Sequence, residues 1–360
     1  MGHLDEQIDD HNHTGQIFET FTHFHEVPLH SSKYFNTCWT KIDLSNPRRY
    51  SDDPSFHYTQ SQAIMEGVLN ILQGISGFVL NLIVILVISR NAEIRKEYLT
   101  PSILSIAGTD LLFSLYTIPA MSIIYLTEDV PFPTGCQLAP FFGYALWLCS
   151  AFNLVSIAAL RCFAVYFPGK INSKVFTYGC RVLPITGWIV SFLVLLPTLL
   201  GKYGHFGLEC KSFICQLIDI GDDREPLEIS PMKIYFLMII ICGVLMFLFN
   251  IATFGQVRKY SRSIFKAIKA IDLDTAKELS NKEKKVGKMV ARITATYVIV
   301  YLPVIILVSV DPNATITYPW LMLIVHLLLN SLVIIDPLIY MLCHEKYREA
   351  AKRMFKIENK

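Results

Sequence analysis

The sequence predicts an all-α membrane protein, a seven-transmembrane helix bundle followed by a short amphipathic eighth helix. Composition is the first indication, because the 360 residues are 52% hydrophobic and only 17% charged, a balance that is unusual for a soluble protein. Mean hydropathy is +0.42. Second, seven stretches reach the roughly 20 apolar residues that a helix needs to cross a bilayer. Third, Lys and Arg are concentrated in alternate connections between these stretches.

The seven predicted spans divide the chain into three parts. They cover 68–89, 99–125, 137–167, 182–200, 234–257, 289–310 and 319–343. Residues 1–62 are predicted to form a disordered extracellular arm, 63–343 the seven-transmembrane domain, and 344–360 the cytoplasmic eighth helix and tail. No internal repeat is visible, which argues against transporters built from two related halves.

The distribution of basic residues predicts the orientation in the membrane. Four connections hold 22 of the 32 Lys and Arg, whereas the alternate connections hold only Lys202, Lys211 and Arg224. Because cytoplasmic loops are enriched in Lys and Arg, we expect an extracellular amino terminus and a multi-pass protein of the plasma membrane. The sequons at Asn12 and Asn313 both fall on the predicted outside and are candidate glycosylation sites. The start of the chain lacks a basic-then-apolar leader, so the first span is expected to direct insertion.

Three polar features leave alternatives open. Cys38, Cys136, Cys210 and Cys215 lie on the predicted outside, where disulfides persist, and four cysteines allow three pairings. The inner connection 258–288 has ten Lys and Arg against four acids, which indicates helical extensions of the flanking spans or a surface for anionic lipid or an acidic partner. The amino arm holds seven of the ten histidines, which is typical of a polar tail but also of zinc binding or proton sensing.

Ionisable residues inside the spans are few, and each is a candidate functional residue because a buried charge is costly in lipid. Arg161 and Arg292 lie near the predicted cytoplasmic ends, where a long side chain can reach water. Asp110 and Asp336 lie too deep for that. Pro337 follows Asp336 directly, so the last span should bend there, provided that a neighbour satisfies the freed backbone carbonyl.

Short motifs recur in order along the spans. The first span contains GFVLNLIVI with Asn81, the second LSIAGTD with Asp110, and the seventh DPLIY at 336–340. Arg161 follows Cys136 by 25 residues, and HEKYREAAKRMF follows the last span. This ordered set resembles the rhodopsin-like (class A) G-protein-coupled receptors over about residues 68–356. The pattern YLP at 301–303 is similar to a melatonin-related and invertebrate orphan group that includes the moody and trapped-in-endoderm receptors.

The resemblance implies a disulfide and an ion site. Cys215 resembles the family's partner for Cys136 better than Cys210 does, which leaves Cys38 and Cys210 as a candidate second bridge. In the family the region around the second-span aspartate binds sodium in the resting receptor, and here the corresponding network is Asn81, Asp110, Ser150, Asp336, Pro337 and Tyr340. No other cofactor or metal is expected. A polar network that only sets helix packing is the alternative.

The chain also departs from the family's motifs at several positions. The family's Asp-Arg-Tyr triplet is Leu160-Arg161-Cys162 here, so the acid beside the arginine is absent. Glu283 lies twenty residues before Pro303, about 30 Å along a helix, and we expect it to pair with Arg161 at the G-protein-coupling end. Tyr301 stands where most members have tryptophan, and the fifth span lacks the usual proline and inner tyrosine.

The expected ligand pocket is lined by Tyr144, Trp147, Tyr301, His326 and Asn330. Gly143 occupies the position at which amine receptors carry an aspartate, so a biogenic amine is not expected. A neutral small molecule, a lipid or a peptide is expected instead. His326 alone would also be compatible with a purely structural role.

The sequence thus predicts a non-enzymatic receptor that binds an extracellular ligand and activates a heterotrimeric G protein. Membrane lipid is a further expected partner, and nucleic acid is not. The alternative is a seven-span protein without G-protein signalling, either a scavenger receptor or a channel subunit. A membrane metal hydrolase is disfavoured because the spans do not group His, Asp and Glu at one depth.

Overall fold

The computed structural model describes residues 60–127, 133–171, 173–201, 205–209, 214–218, 231–268, 292, 295–307, 319–343 and 345–355. Five of the candidate functional residues named above lie outside these ranges: Asn12, Cys38, Cys210, Glu283 and Asn313. Glycosylation, the second bridge and the Arg161–Glu283 pair therefore stay predictions.

The described residues form helices and one hairpin. In chain order the elements are α1 (Gln60–Arg90), α2 (Ala92–Arg95), α3 (Thr100–Leu112), α4 (Ile118–Thr127), α5 (Pro133–Tyr166), α6 (Lys174–Leu199), β1 (His205–Glu209), β2 (Ile214–Ile218), α7 (Pro231–Ile268), α8 (Ala295–Leu307), α9 (Pro319–Asn330), α10 (Leu332–Cys343) and α11 (Glu345–Met354).

These helices account for the predicted spans. Six stretches of the described chain are long and apolar enough to cross a membrane, and α8 is a shorter apolar helix at the position of the sixth predicted span. The second span consists of α3 and α4, and the seventh of α9 and α10. Large apolar side chains such as Leu193, Leu248 and Ile299 are exposed on the outer faces, as expected for surfaces that meet lipid.

Several helix boundaries differ from the predicted ones; α6, for example, begins at Lys174 rather than at 182. Helix α1 begins at Gln60 rather than at 68, and its first turns are packed rather than solvated, because Gln62, Glu66 and Asn70 are buried. Helix α7 continues to Ile268 rather than ending at 257, which agrees with the predicted cytoplasmic extension of the fifth span.

The two spans that carry the buried aspartates are irregular. In the second, a π-helical segment, Phe113–Thr117, separates α3 from α4, and Pro119 just beyond it cannot donate a backbone hydrogen bond. In the seventh, a turn at Ser331 separates α9 from α10. By contrast, α5, α6 and α7 are continuous helices.

Helix α5 lies at the centre of the bundle and packs against α3, α6, α7 and the hairpin. Its side chains at Leu148, Ala151 and Ile157 are fully enclosed. The antiparallel strands β1 and β2 contribute Phe206 and Leu217 to the same core, so the hairpin covers one end of the central helix.

Helix α11 docks one face on the bundle, as predicted for the amphipathic eighth helix. Tyr347, Ala350 and Ala351 are buried, and the Tyr347 hydroxyl lies 2.7 Å from Thr100 Oγ1. On the exposed side, Lys346 pairs with Glu97, whose hydrogen bond and charge raise the pKa of Lys346.

Candidate functional site

A disulfide joins Cys136 of α5 to Cys215 of β2, the pairing that the resemblance implied. Both cysteines are buried, and they pack with Ala63, Ile124 and Tyr125. The bond therefore fixes the hairpin over one end of the bundle.

A pocket lies beneath this hairpin. Its empty volume, which includes the open solvent at its mouth, is about 1000 Å³. All five residues proposed from the sequence line it: Tyr144, Trp147, Tyr301, His326 and Asn330. The structure thus brings together side chains from the third, sixth and seventh spans.

One wall of the pocket is aromatic and comes from the π-helical segment of the second span, α5 and α7. Tyr144 and Tyr235 meet edge to face with ring centroids 4.9 Å apart, and the Tyr235 hydroxyl donates to the Tyr144 carbonyl oxygen at 3.2 Å. Trp147 packs against Tyr144 and Phe113. These contacts hold the rings in place and give the wall a large apolar surface.

The opposite wall, formed by α1 and α9, is polar. Asn330 Nδ2 donates to Asn70 Oδ1 at 2.9 Å, and His326 Nδ1 lies 3.3 Å from Glu66 Oε1. One turn deeper, Gln73 Nε2 donates to the Leu327 carbonyl oxygen at 2.9 Å. The two helices are therefore joined by a ladder of polar pairs that borders the pocket.

Sequence reasoning missed Glu66 and Asn70. Both are 1% exposed and line the pocket, but they precede or border the apolar window that began at 68. A signal was present, because Gln62, Glu66 and Asn70 recur every four residues and so share one helical face.

Several polar atoms of the pocket lining make no hydrogen bond within the described part of the chain. They are Thr117 Oγ1, Trp147 Nε1, Tyr301 Oη and His326 Nδ1. Because buried polar groups are normally satisfied, these atoms give the pocket unused hydrogen-bonding capacity for a ligand or water.

Gly143 is buried in the same pocket, at the position where an amine receptor would carry an aspartate. A Cβ at this site would lie 3.0 Å from Thr117 Cγ2. The second span thus approaches α5 closely here, and a larger side chain would need the neighbour to shift.

Below the pocket, Asp110 and Asp336 form a buried carboxylate pair. They are 5% and 3% exposed, and the charge of Asp336 acts on Asp110. The Oδ2 atom of each has no hydrogen-bond partner among the described residues. Ser150 and Asn153 of α5 are also buried, so the predicted network residues Asn81, Asp110, Ser150, Asp336 and Tyr340 are all interior.

Asn81 satisfies the carbonyl that Pro337 leaves free. A residue at 337 with an N–H would donate to Val333, four residues earlier, and proline cannot. Asn81 Nδ2 instead donates to the Val333 carbonyl oxygen at 2.8 Å and to that of Gly77 at 2.9 Å. The first span therefore supplies the donor that Pro337 removes from the seventh; the bend at Pro337 stays a prediction.

Tyr297, another residue that sequence reasoning missed, links the fifth and sixth spans. Its hydroxyl donates to the Ile239 carbonyl oxygen at 2.7 Å, and its ring stacks on Tyr301 with centroids 4.4 Å apart. Gly243 makes room, because a Cβ there would lie 2.7 Å from Tyr297 Cε1.

Arg161 lies at the opposite end of α5 from the disulfide. It is 6% exposed, so its side chain does not extend into water, although its position near the end of the span allows that. Arg292, by contrast, is exposed. The charge of Arg161 acts on Tyr98, Tyr340 and Tyr347. Tyr98 lies in the turn before α3, Tyr340 in α10 and Tyr347 in α11, so Arg161 occupies a junction of the bundle.

Comparisons with known proteins agree with this architecture. The model of the family described as 7 transmembrane receptor (rhodopsin family) matches residues 80–340. Protein trapped in endoderm-1 of Drosophila melanogaster is 23% identical over 76% of this chain and 73% of its own length. G-protein coupled receptor moody of the same species is 22% identical over 82% of this chain, which spans 52% of that longer relative.

The fold also matches a solved structure. Squid rhodopsin superimposes with a TM-score of 0.69, covering 87% of this chain and 91% of that one at 20% identity. The seven-helix bundle predicted from the sequence is thereby confirmed, as is the resemblance on which the site was built. The chain belongs to the rhodopsin family of seven-transmembrane receptors.

Proposed function

We propose that this protein is a plasma-membrane receptor that binds an extracellular ligand in the pocket and activates a heterotrimeric G protein. The observation that carries the proposal is the seventh span, which borders the pocket in α9 and carries Asp336 and Pro337 in α10. The family consists of receptors, so no catalysis is proposed.

The seventh span offers a physical route from ligand to cytoplasm. Ser331 interrupts the helix directly after the pocket residue Asn330, and Pro337 follows within two turns. A ligand that binds one position of α9 better than another shifts the angle between α9 and α10. Such a shift reaches Tyr340, on which the charges of Asp336 and Arg161 act.

The carboxylate pair fits a sodium ion. Oxygen ligands suit hard cations, and two neighbouring carboxylates in a low-dielectric interior are costly without a cation or a shared proton. The ion would be held by Asp110, Asp336 and Ser150, and its positive charge would offset the repulsion between the two carboxylates. Asn81 would anchor the adjacent helices. We expect sodium chloride to raise the thermal stability of the purified receptor above that in potassium chloride. Asp110→Asn should abolish the difference, and an unchanged difference would contradict the site.

The amino terminus is proposed to be extracellular. The described disulfide lies at the end of α5 remote from Arg161, and disulfides persist on the oxidising side of the plasma membrane. An epitope placed before residue 60 should bind antibody on intact cells; binding only after permeabilisation would reverse the orientation and favour the channel-subunit alternative.

G-protein activation is tested in cells that express the full chain with dissociation sensors for each Gα class. Basal sensor response should rise with receptor level and increase further with the activating compound of a ligand library. Arg161→Ala should change this response, whereas Arg181→Ala, an exposed arginine at the start of α6, should not. A well-expressed receptor that moves no sensor under either condition would favour the scavenger-receptor alternative.

A further inference from the structure

We propose that the pocket binds a neutral, largely apolar ligand whose carbonyl or similar acceptor oxygen receives a hydrogen bond from Trp147 Nε1. The inference rests on the receptor function proposed above and names the chemical class of its ligand.

The indole of Trp147 is the first step, because an indole N–H can donate a hydrogen bond but cannot accept one. Trp147 Nε1 is enclosed in the pocket lining and has no acceptor within the described part of the chain. The chain satisfies the same group elsewhere, since Trp188 Nε1 donates to Ser105 Oγ at 2.9 Å. Buried polar groups are normally paired, so the partner of Trp147 should be an acceptor atom of the molecule that occupies the pocket.

Thr117 is a second exception of this kind, in the second span. Thr109 and Ser122 of the same span each donate to a carbonyl oxygen of their own helix at 2.8 Å. Thr117, at the end of the π-helical segment, is also buried, but its Oγ1 makes no hydrogen bond among the described residues. Its hydroxyl is therefore available to the polar end of a ligand.

Thr117 and Trp147 serve the same part of the pocket, where the second span meets α5. A Cβ on Gly143 would lie 4.0 Å from Thr117 Oγ1, and Trp147 follows Gly143 by four residues, so it shares the same face of α5. The Trp147 ring is held by Phe113, with centroids 5.2 Å apart, and by Tyr144 at 5.7 Å. A carbonyl oxygen has two acceptor sites, so one such oxygen can meet both the indole and the hydroxyl.

The charges of the pocket favour a neutral ligand. The described lining contains no Lys or Arg, and its acid and its imidazole lie against each other at the opposite wall, with Glu66 Oε1 3.3 Å from His326 Nδ1. An ionic group beside Trp147 would lose its hydration without meeting an opposite charge. The classes expected from the sequence are thereby narrowed to molecules that present a neutral acceptor to α5.

The rest of the lining suits an apolar body. It includes Ile118 and Met121 of the second span, Val304 and Leu307 of the sixth and Val325 of the seventh. Covering these side chains with an apolar ligand removes apolar surface from water. The ligand thus has its acceptor toward α5 and its apolar body toward the other spans.

Indole nitrogen NMR tests the inference without knowledge of the natural ligand. The full-length receptor is isotopically labelled at its four tryptophan side chains and titrated with rigid neutral pairs that differ only in a carbonyl group: fluorenone against fluorene, and xanthone against xanthene. We expect a ketone to shift the Trp147 indole resonance and to bind about tenfold more tightly than its methylene counterpart, the effect of one ordinary hydrogen bond.

The other tryptophans provide the controls. The Trp188 resonance should not move, because its N–H already donates to Ser105. Trp147→Phe should remove the preference for the ketone while the receptor keeps its surface expression and monodisperse elution profile. If that variant does not fold, Trp39→Phe, Trp188→Phe and Trp320→Phe assign the Trp147 resonance by elimination, and the titration of the unsubstituted chain decides.

The inference is overturned if no ketone binds more tightly than its counterpart, whether both bind or neither does, or if the Trp147 resonance stays unmoved at saturation. Tighter binding of the protonated amine of 9-aminofluorene than of fluorenone overturns it as well. The readout needs no G protein, so an absent preference with intact sensor response rejects the ligand class alone. A clear preference with silent sensors rejects the receptor function alone.

Discussion

The two sides of the bundle are held together by different contacts. Where the first span meets the second and seventh, helices approach at glycines: a Cβ on Gly74 would lie 2.9 Å from Ile118 Cγ2, and one on Gly77 2.5 Å from Val333 Cγ2. Where the third, fifth and sixth spans meet, tyrosine side chains make the connection, as with Tyr297 and Ile239. On the first side aliphatic side chains pack against glycines, whereas on the other side tyrosine rings and hydroxyl groups make the contacts, one of them against Gly243.

The difference indicates which side can move. Close backbone approach tolerates little displacement, because interiors are packed too densely to deform gradually. A tyrosine hydroxyl bound to a carbonyl can release it by rotating its side chain, so the helices it joins have a second available arrangement. The first and second spans and the part of the seventh around Val333 thus form a fixed frame. The rest of the seventh span, before Ser331 and beyond Pro337, and the fifth and sixth spans are the candidates for displacement.

The largest effect is expected for Gly77→Ala, which attacks the fixed frame. The added methyl would lie 2.5 Å from Val333 Cγ2 and 2.6 Å from Ser114 Oγ, so the first span must move and loosen the Asn81–Val333 hydrogen bond. Overpacking and the lost bond together should cost roughly 3 kcal/mol.

Thermal unfolding of the purified receptor measures this cost. Gly108→Ala is the matched control in the second span, because a Cβ there meets nothing within 4 Å and alanine favours a helix by about 0.5–1 kcal/mol. Equal melting temperatures for the two variants would refute the frame.

The next largest effect is expected for Asn81→Ala, which leaves the Val333 carbonyl without its donor. Burying that carbonyl unsatisfied should cost about 1–2 kcal/mol. The cost should shrink in a Pro337→Ala background, since alanine restores the N–H that bonds Val333 within the helix. A double-mutant cycle of unfolding free energies checks this coupling, and additive effects would show that Asn81 does not compensate for Pro337.

The sequence alone was sufficient to predict which polar residues of the fixed frame matter, because they form motifs. Asn81, Asp110 and Asp336 stand out because polar and ionisable groups are rare in apolar spans, and the proline explains why a donor was needed. Glu66 escaped notice because polar residues near the end of an apolar window are usually assigned to the adjoining loop. Its burial depends on the neighbouring seventh span, which the local sequence of the first span does not reveal.

The movable side could be predicted far less well. Tyr297 lies in an apolar span where a tyrosine is unremarkable, and its partner is a backbone carbonyl that leaves no trace in the sequence. The π-helical segment after Asp110 was likewise not predicted, since Pro119 marks only that the helix is weakened nearby. Contacts made by backbone atoms and by ring packing become visible only in three dimensions.

A smaller effect is expected for Tyr297→Phe, on the movable side. The change removes the hydrogen bond to the Ile239 carbonyl oxygen but keeps the ring, so the loss should be about 0.5–1 kcal/mol. Tyr301→Phe is the matched control for stability alone, because the Tyr301 hydroxyl has no partner in the described structure. Basal sensor response should rise in Tyr297→Phe if the bond holds the resting arrangement, and a fall would contradict this.

The smallest effect is expected at the docked eighth helix. Lys346 is largely exposed and pairs with Glu97, and exposed pairs contribute only about 0–1 kcal/mol, so Lys346→Ala should change stability little. Because Glu97 raises the pKa of Lys346, the stabilising contribution of the pair is present at neutral pH and is lost only as the pH rises through the folded-state pKa.

Tyr347→Phe, on the same helix, should cost more stability than Lys346→Ala, since it removes a buried hydrogen bond to Thr100. Unfolding temperatures in low and high salt separate the two, because salt should weaken only the Lys346 contribution.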